Sequence, residues 1–152
     1  MNASKRSLLA AGVGTAAALA IGIPLMTASE ATTTTTDATQ LTAELNGANE
    51  VPPADPNGEG MAFVFGAASS PNTLCYVLFV DRIATPVAAH IHRGAEGVNG
   101  PVVVPLRAPA DGSTARCATT TRAANILANP QNFYVNVHNA PFPDGAIRGQ
   151  LG

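Results

Sequence analysis

The run Val87-Ala88-Ala89-His90-Ile91-His92, followed by Arg93-Gly94, decides the fold. Side chains along a strand alternate between its two faces, so Val87, Ala89 and Ile91 fall on one side and His90 and His92 on the other. An alternating run that ends at a glycine loop is a half-buried strand. The split recurs in Phe133-Tyr134-Val135-Asn136-Val137-His138. There Phe133, Val135 and Val137 form the core side, and Tyr134, Asn136 and His138 the opposite one. In the last apolar run Ile147 and Leu151 point inward with Gly149, leaving Arg148 and Gln150 outward. All three histidines of the chain are therefore expected away from the core, at strand ends beside Gly/Pro loops.

The text from Leu41 onward consists of short apolar or alternating runs separated by Gly, Pro, Asn and Asp. Strands are predicted over 41–46, 61–65, 73–81, 86–92, 101–107, 132–138 and 145–151. A short helix is predicted over 121–129, where Ile126 and Leu127 give an apolar edge and Pro130 blocks continuation. No internal repeat is present, which argues against a solenoid or propeller. The expected fold is all-β, a Greek-key-like antiparallel β-sandwich or flattened barrel with one short helix.

Upstream of this domain, Lys5-Arg6 precedes an apolar run from Leu8 to Met26 and the small residues around Ser29-Glu30-Ala31. These are the parts of a secretory signal, assigned to 1–31 with cleavage after Ala31. The alternative is an uncleaved membrane anchor, since about 18 apolar residues just span a bilayer. Residues 32–40 form a threonine-rich flexible linker, and 41–152 the domain. The chain is thus expected to be exported: secreted, periplasmic or associated with the cell envelope. In an oxidising compartment Cys75 and Cys117 are expected to form a disulfide, the alternative being two buried thiols that never meet.

Charged residues make up only 12% of the chain, with 8 basic against 10 acidic and a net charge of −2; the only lysine is Lys5. A nucleic-acid partner needs a basic patch that this composition does not supply. The expected partner is an unspecified extracellular or cell-envelope component, with membrane contact only through an uncleaved N-terminus. Ser69, Ser70 and Ser113 lack the setting of a catalytic serine. Gly94, Gly97 and Gly100 follow a strand but open no helix, so they are read as turn glycines with positive φ rather than a phosphate loop.

Four ordered segments carry a family resemblance: Leu45-Asn46-Gly47-Ala48-Asn49-Glu50-Val51-Pro52-Pro53, Ala89-His90-Ile91-His92-Arg93-Gly94, Tyr134-Val135-Asn136-Val137-His138, and Pro143-Asp144-Gly145-Ala146-Ile147-Arg148-Gly149-Gln150-Leu151. Together they resemble the chordin-type (CHRD) domain over 41–152. The resemblance implies an extracellular β domain rather than an activity. Ala146 departs from it, standing where that family often has a glutamate.

Two imidazoles at i and i+2 on a strand project together from Cα atoms about 6.5–7 Å apart, a span that one metal ion bridges. With a third from a neighbouring strand, His90, His92 and His138 make a candidate copper or zinc site. The bland alternative is that they only hydrogen-bond to Asn136, Tyr134 or a loop carbonyl. Arg93 and Arg148 are read either as pairing with Asp144, Glu96 or Glu50 to fasten loops or as an anion site, and Glu50 as a loop clasp. The leading function is a non-enzymatic binding module. The alternatives are a metal-free structural or adhesion module, and a copper redox enzyme that His90 and His92 make similar to Cu/Zn superoxide dismutase, with His138 and Arg148 standing for a further ligand and a guiding arginine. That likeness is weakened by too few histidines and the lack of a zinc loop.

Overall fold

A computed structural model describes residues 38–152. The signal segment expected over 1–31 and the expected linker up to residue 37 lie outside the described residues. The described residues form eight strands: β1 (Ala38–Asn46), β2 (Glu59–Ala67), β3 (Thr73–Asp81), β4 (Pro86–Arg93), β5 (Val102–Leu106), β6 (Ser113–Thr119), β7 (Phe133–Asn139) and β8 (Ile147–Gln150). One helix, α1 (Ala123–Ala128), lies between β6 and β7. All pairings are antiparallel, in the order β5-β4-β7-β8-β1-β2-β3-β6. The single sheet curls until its edge strands β5 and β6 approach each other, giving a nearly closed barrel. Of the two all-β shapes expected, the flattened barrel is the one formed.

Alternation explains the interior. Leu41, Ala43 and Leu45 of β1, Ala62 and Val64 of β2, and Leu74, Tyr76 and Leu78 of β3 occupy every second position and are buried together with Ala89, Ile91, Phe133, Val135, Val137 and Ile147. The helix contributes Ala123 and Ile126, each with no exposed surface, to the same core. Its length is set by sequence, since Pro130 cannot continue it.

Three local expectations fail for physical reasons. The apolar phase puts Val87 in the core, yet it is 64% exposed, because a register shift between Pro86 and Ala88 extrudes it; the phase then resumes with Ala89 and Ile91 buried. The strand β6 was missed: Ser-Thr-Ala-Arg-Cys-Ala-Thr lies at the sheet edge with most residues exposed, so it carries no apolar alternation. β1 begins at Ala38 rather than Leu41, since its first three residues pair with β2 but bury nothing.

Cys75 and Cys117 sit directly opposite each other in the β3–β6 ladder with their sulfurs at disulfide distance. Three loops fold over the outer side of β7 and β8. The 47–58 loop is tied down by Glu50 N–H and Ala54 N–H donating to Gly47 O and by Asp55 N–H donating to Ala146 O. In the 94–100 loop Gly94 N–H donates to Asn132 O at 2.8 Å. The third loop, after β7, returns through Ala146 N–H to Val137 O at 2.8 Å.

Candidate metal centre

Those loops change the meaning of the outward face. Every residue of β7 is buried, including Tyr134, Asn136 and His138, and Arg148 of β8 is only 2% exposed. The face expected to be solvated is instead a covered polar layer. Such a layer persists only if its polar groups find partners.

His90 and His92 project from β4, and His138 from β7, which pairs with it through Ala88 opposite His138 and His90 opposite Asn136. One nitrogen from each of the three imidazoles lies within 4.8 Å of the other two. His90 Nδ1 and His138 Nε2 are 3.0 Å apart. The ring centroids of His90 and His92 are 5.6 Å apart, and those of His92 and His138 6.3 Å.

Backbone carbonyls set the orientation of two of the rings. His92 Nδ1 lies 2.9 Å from Gly100 O, and His138 Nδ1 lies 3.0 Å from Pro143 O. A carbonyl only accepts, so each ring carries its proton on Nδ1 and leaves a lone pair on Nε2. His92 Nε2 is buried without a hydrogen-bond partner. Burial, then the neighbouring imidazole groups, holds the His90 pKa below its ordinary value. Burial likewise lowers that of His92, against the opposing pull of its bond to Gly100. One nitrogen of each ring thus faces the other two, with His90 Nδ1 and His138 Nε2 at hydrogen-bond distance, an arrangement able to hold a metal ion, and carbonyls behind the rings are the usual supports of such a set.

His92 also stacks on Tyr134, with centroids 4.8 Å apart and planes 12° from parallel. Tyr134 Oη accepts from Gly100 N–H at 3.2 Å, so the residue that orients His92 is itself held by its stacking partner. Gly100 has to be glycine, because a Cβ there would lie 1.7 Å from Arg93 O. Of the three loop glycines expected to need positive φ, only Gly97 has it, at 75°; Gly94 and Gly100 are required for close approach of the chain.

On the other side of Tyr134 the Arg148 guanidinium carbon lies 3.5 Å from the ring centroid. Its nitrogens donate to Asn99 Oδ1 at 3.0 Å, Val98 O at 2.7 Å and Ala95 O at 3.3 Å. Carboxylate pairing with Asp144, Glu96 or Glu50 is not how Arg148 is satisfied; neutral oxygens and an aromatic face do it. Arg93 is exposed and makes no ion pair among the described residues, where the ion pair present is Arg82 with Glu59. Glu50 is 7% exposed and accepts from Asn136 Nδ2 at 2.6 Å, clasping the 47–58 loop to β7. Burial pushes its carboxyl up to about 7, although the Arg148 charge draws it down. Gly145, at φ 145°, makes room for this clasp: a Cβ there would meet Asn136 Nδ2 and Glu50 Oε1 at 2.6 Å.

The structure thus brings His90, His92 and His138 together and places Arg148 behind them, with Glu50 on the same covered face and Arg93 apart. Sequence reasoning missed Asn99, Gly100 and Pro143. For Asn99 and Gly100 the only signal was the glycine-rich loop next to the His-x-His strand, and for Pro143 the Gly/Pro loop that follows His138.

No curated protein and no solved structure matches the chain. Residues 41–151 match the family model of the CHRD domain, a span that takes in all three histidines, the loops covering them and the whole barrel except the first residues of β1, and the chain accordingly belongs to the CHRD-domain family.

Proposed function

We propose that this protein is an exported, non-enzymatic binding module that holds one copper or zinc ion through His90, His92 and His138. The observation that carries the reading is the buried, unpartnered Nε2 of His92, turned by the Gly100 carbonyl toward two further imidazoles. A buried lone pair with no donor costs about 1–3 kcal/mol, and a metal ion would recover that loss. Metal–nitrogen bonds of 2.0–2.1 Å put ligand atoms about 3.3 Å apart in a tetrahedral set. The 3.0 Å spacing of His90 and His138 is already near that value, and the 4.8 Å span of the group needs only a small contraction. Three nitrogen donors without a thiolate or carboxylate suit copper and zinc rather than calcium or magnesium. The Cys75–Cys117 pair at disulfide distance supports an oxidising, extracellular compartment.

Isothermal titration of the metal-stripped full chain with Zn(II), with Cu(II) and, anaerobically, with Cu(I) tests the reading. One ion should bind per chain, with copper the tighter. Binding should vanish when all three histidines are replaced by alanine, and should weaken at least tenfold in His90→Ala, a half-buried position where substitution spares the fold. Absence of stoichiometric binding, or binding indifferent to both variants, would leave the domain a structural or adhesion module.

A further inference from the structure

The three-histidine group is backed by a buried positive charge. Arg148 is 2% exposed, and its guanidinium is held by the neutral oxygens of Asn99, Val98 and Ala95. It lies 3.5 Å from the Tyr134 centroid, and the Tyr134 ring lies 4.8 Å from His92 and nearly parallel to it. Guanidinium, phenol and imidazole thus form one pile that ends at the candidate metal. The charge is fixed within about one Debye length of the metal nitrogens, but rings rather than salt water fill the path, so screening is weak.

We propose that this site, on the metal-binding reading above, selects copper in the +1 state over the +2 state. Two features point the same way. A fixed cation repels a doubly charged ion more than a singly charged one, and the ligands themselves are neutral imidazoles that return no negative charge. No carboxylate or thiolate joins the three histidines among the described residues. Glu50 is close enough to feel Arg148, but its carboxyl is engaged with Asn136. In addition, Cu(II) favours a square-planar or tetragonal set of four or more donors. Three imidazoles from adjacent strands supply a three-coordinate set, which a filled d shell with no geometric preference accepts and Cu(II) does not favour.

Arg148 is too deeply buried for its deletion to be a clean test, so the charge is better cancelled in place. Asn99 is exposed, and its Oδ1 receives the Arg148 Nη1 proton. Asn99→Asp puts a carboxylate there at the same shape and gives Arg148 a counter-ion. Asn99→Ser keeps a neutral acceptor; like the aspartate, it also loses the Asn99 Nδ2 bond to Val51 O. The full chain is titrated anaerobically with Cu(I) against the chromogenic chelator bicinchoninate, and separately with Cu(II) against nitrilotriacetate. The ratio of the two affinities is insensitive to general loosening, which affects both states.

The ratio should fall about tenfold in Asn99→Asp, equivalent to a drop of about 59 mV in the one-electron potential of bound copper. It should stay within twofold of wild type in Asn99→Ser. If both copper states bind and the ratio is the same in Asn99→Asp as in wild type, the charge selection is overturned while the metal site stands. If neither state binds to the wild-type chain, the metal site and the selection fall together.

Discussion

Replacing His92 by phenylalanine separates what the residue does for the fold from what it does for a ligand. In the metal-free protein its Nε2 is buried with no partner, a deficit of about 1–3 kcal/mol. Its Nδ1 bond to Gly100 O at 2.9 Å contributes about 0.5–1.5 kcal/mol in the other direction. Phenylalanine removes both and keeps the aromatic stack on Tyr134, whose 4.8 Å spacing does not depend on the nitrogens. The balance favours the variant, so His92→Phe should be about 1 kcal/mol more stable than wild type when metal is absent. With Cu(II) or Zn(II) present the order should reverse, because only wild type gains the linkage stabilisation of a bound ion, about 2.7 kcal/mol at a free metal concentration one hundred times Kd. Urea unfolding in chelator and again in buffered metal measures both quantities on the same samples. A variant at least 2 kcal/mol less stable than wild type in chelator would refute the reasoning, since it would mean His92 is there to hold the loop and its Nε2 is satisfied in solution.

Glu50 makes stability depend on pH with a definite sign. A carboxyl raised from 4.5 to about 7 keeps its proton in the folded protein after the unfolded chain has lost it, so its contribution is full below pH 4.5, declines up to about pH 7 and is flat above. The whole shift corresponds to about 3 kcal/mol, reduced to about 2 kcal/mol by residual solvent screening. Glu50→Gln should gain that amount relative to wild type between pH 4.5 and pH 8, measured in chelator; the lowered His90 and His92 act with opposite sign but are common to both proteins. A stability difference that does not change with pH would contradict this account. Converting Cys75 and Cys117 together to serine opens a loop of 42 residues and should cost about 4 kcal/mol, with the amides of β6 losing hydrogen-exchange protection first because that strand buries little. A loss under 1 kcal/mol would mean that the unfolded chain gains little freedom from opening that loop.

The barrel was legible wherever a strand has one dry face. Ala89 and Ile91 against His90 and His92, or Phe133, Val135 and Val137 against their neighbours, spell out their faces because period-two burial is written directly into residue type. Legibility ended where burial is not local. Val87 fits the apolar phase and still points to solvent, because a bulge displaces it and bulges leave no mark in composition. The strand carrying Cys117 was missed since an edge strand with exposed side chains has no pattern to read. The histidine site was legible in outline, as three residues on the polar phase of two strands. Its covered character was not, because Asn99, Gly100 and Glu50 reach it from loops that are 38 or more residues away from His138 in sequence, and only the fold brings them together.

That difference bears on why the site is where it is. A barrel of this size needs one apolar interior and gains nothing from a second buried layer made of Arg148, Asn136, Glu50 and His138, with His90 and His92 half-buried beside it, each of which must be desolvated and then satisfied. Most of the layer is satisfied with some care: Arg148 by three oxygens and a ring, and Glu50 by Asn136 in a space kept open by Gly145. Four buried side-chain atoms among the described residues lack a partner, His92 Nε2, Asn136 Oδ1, Asn139 Nδ2 and Gln150 Oε1, and of these His92 Nε2 is the one at the convergence of the imidazoles. A lone pair left bare beside two further imidazoles is a local inconsistency, and such inconsistencies are where binding sites are expected. If the lone pair were a packing residue alone, an apolar ring would serve better at position 92, and that substitution is the comparison that decides between them.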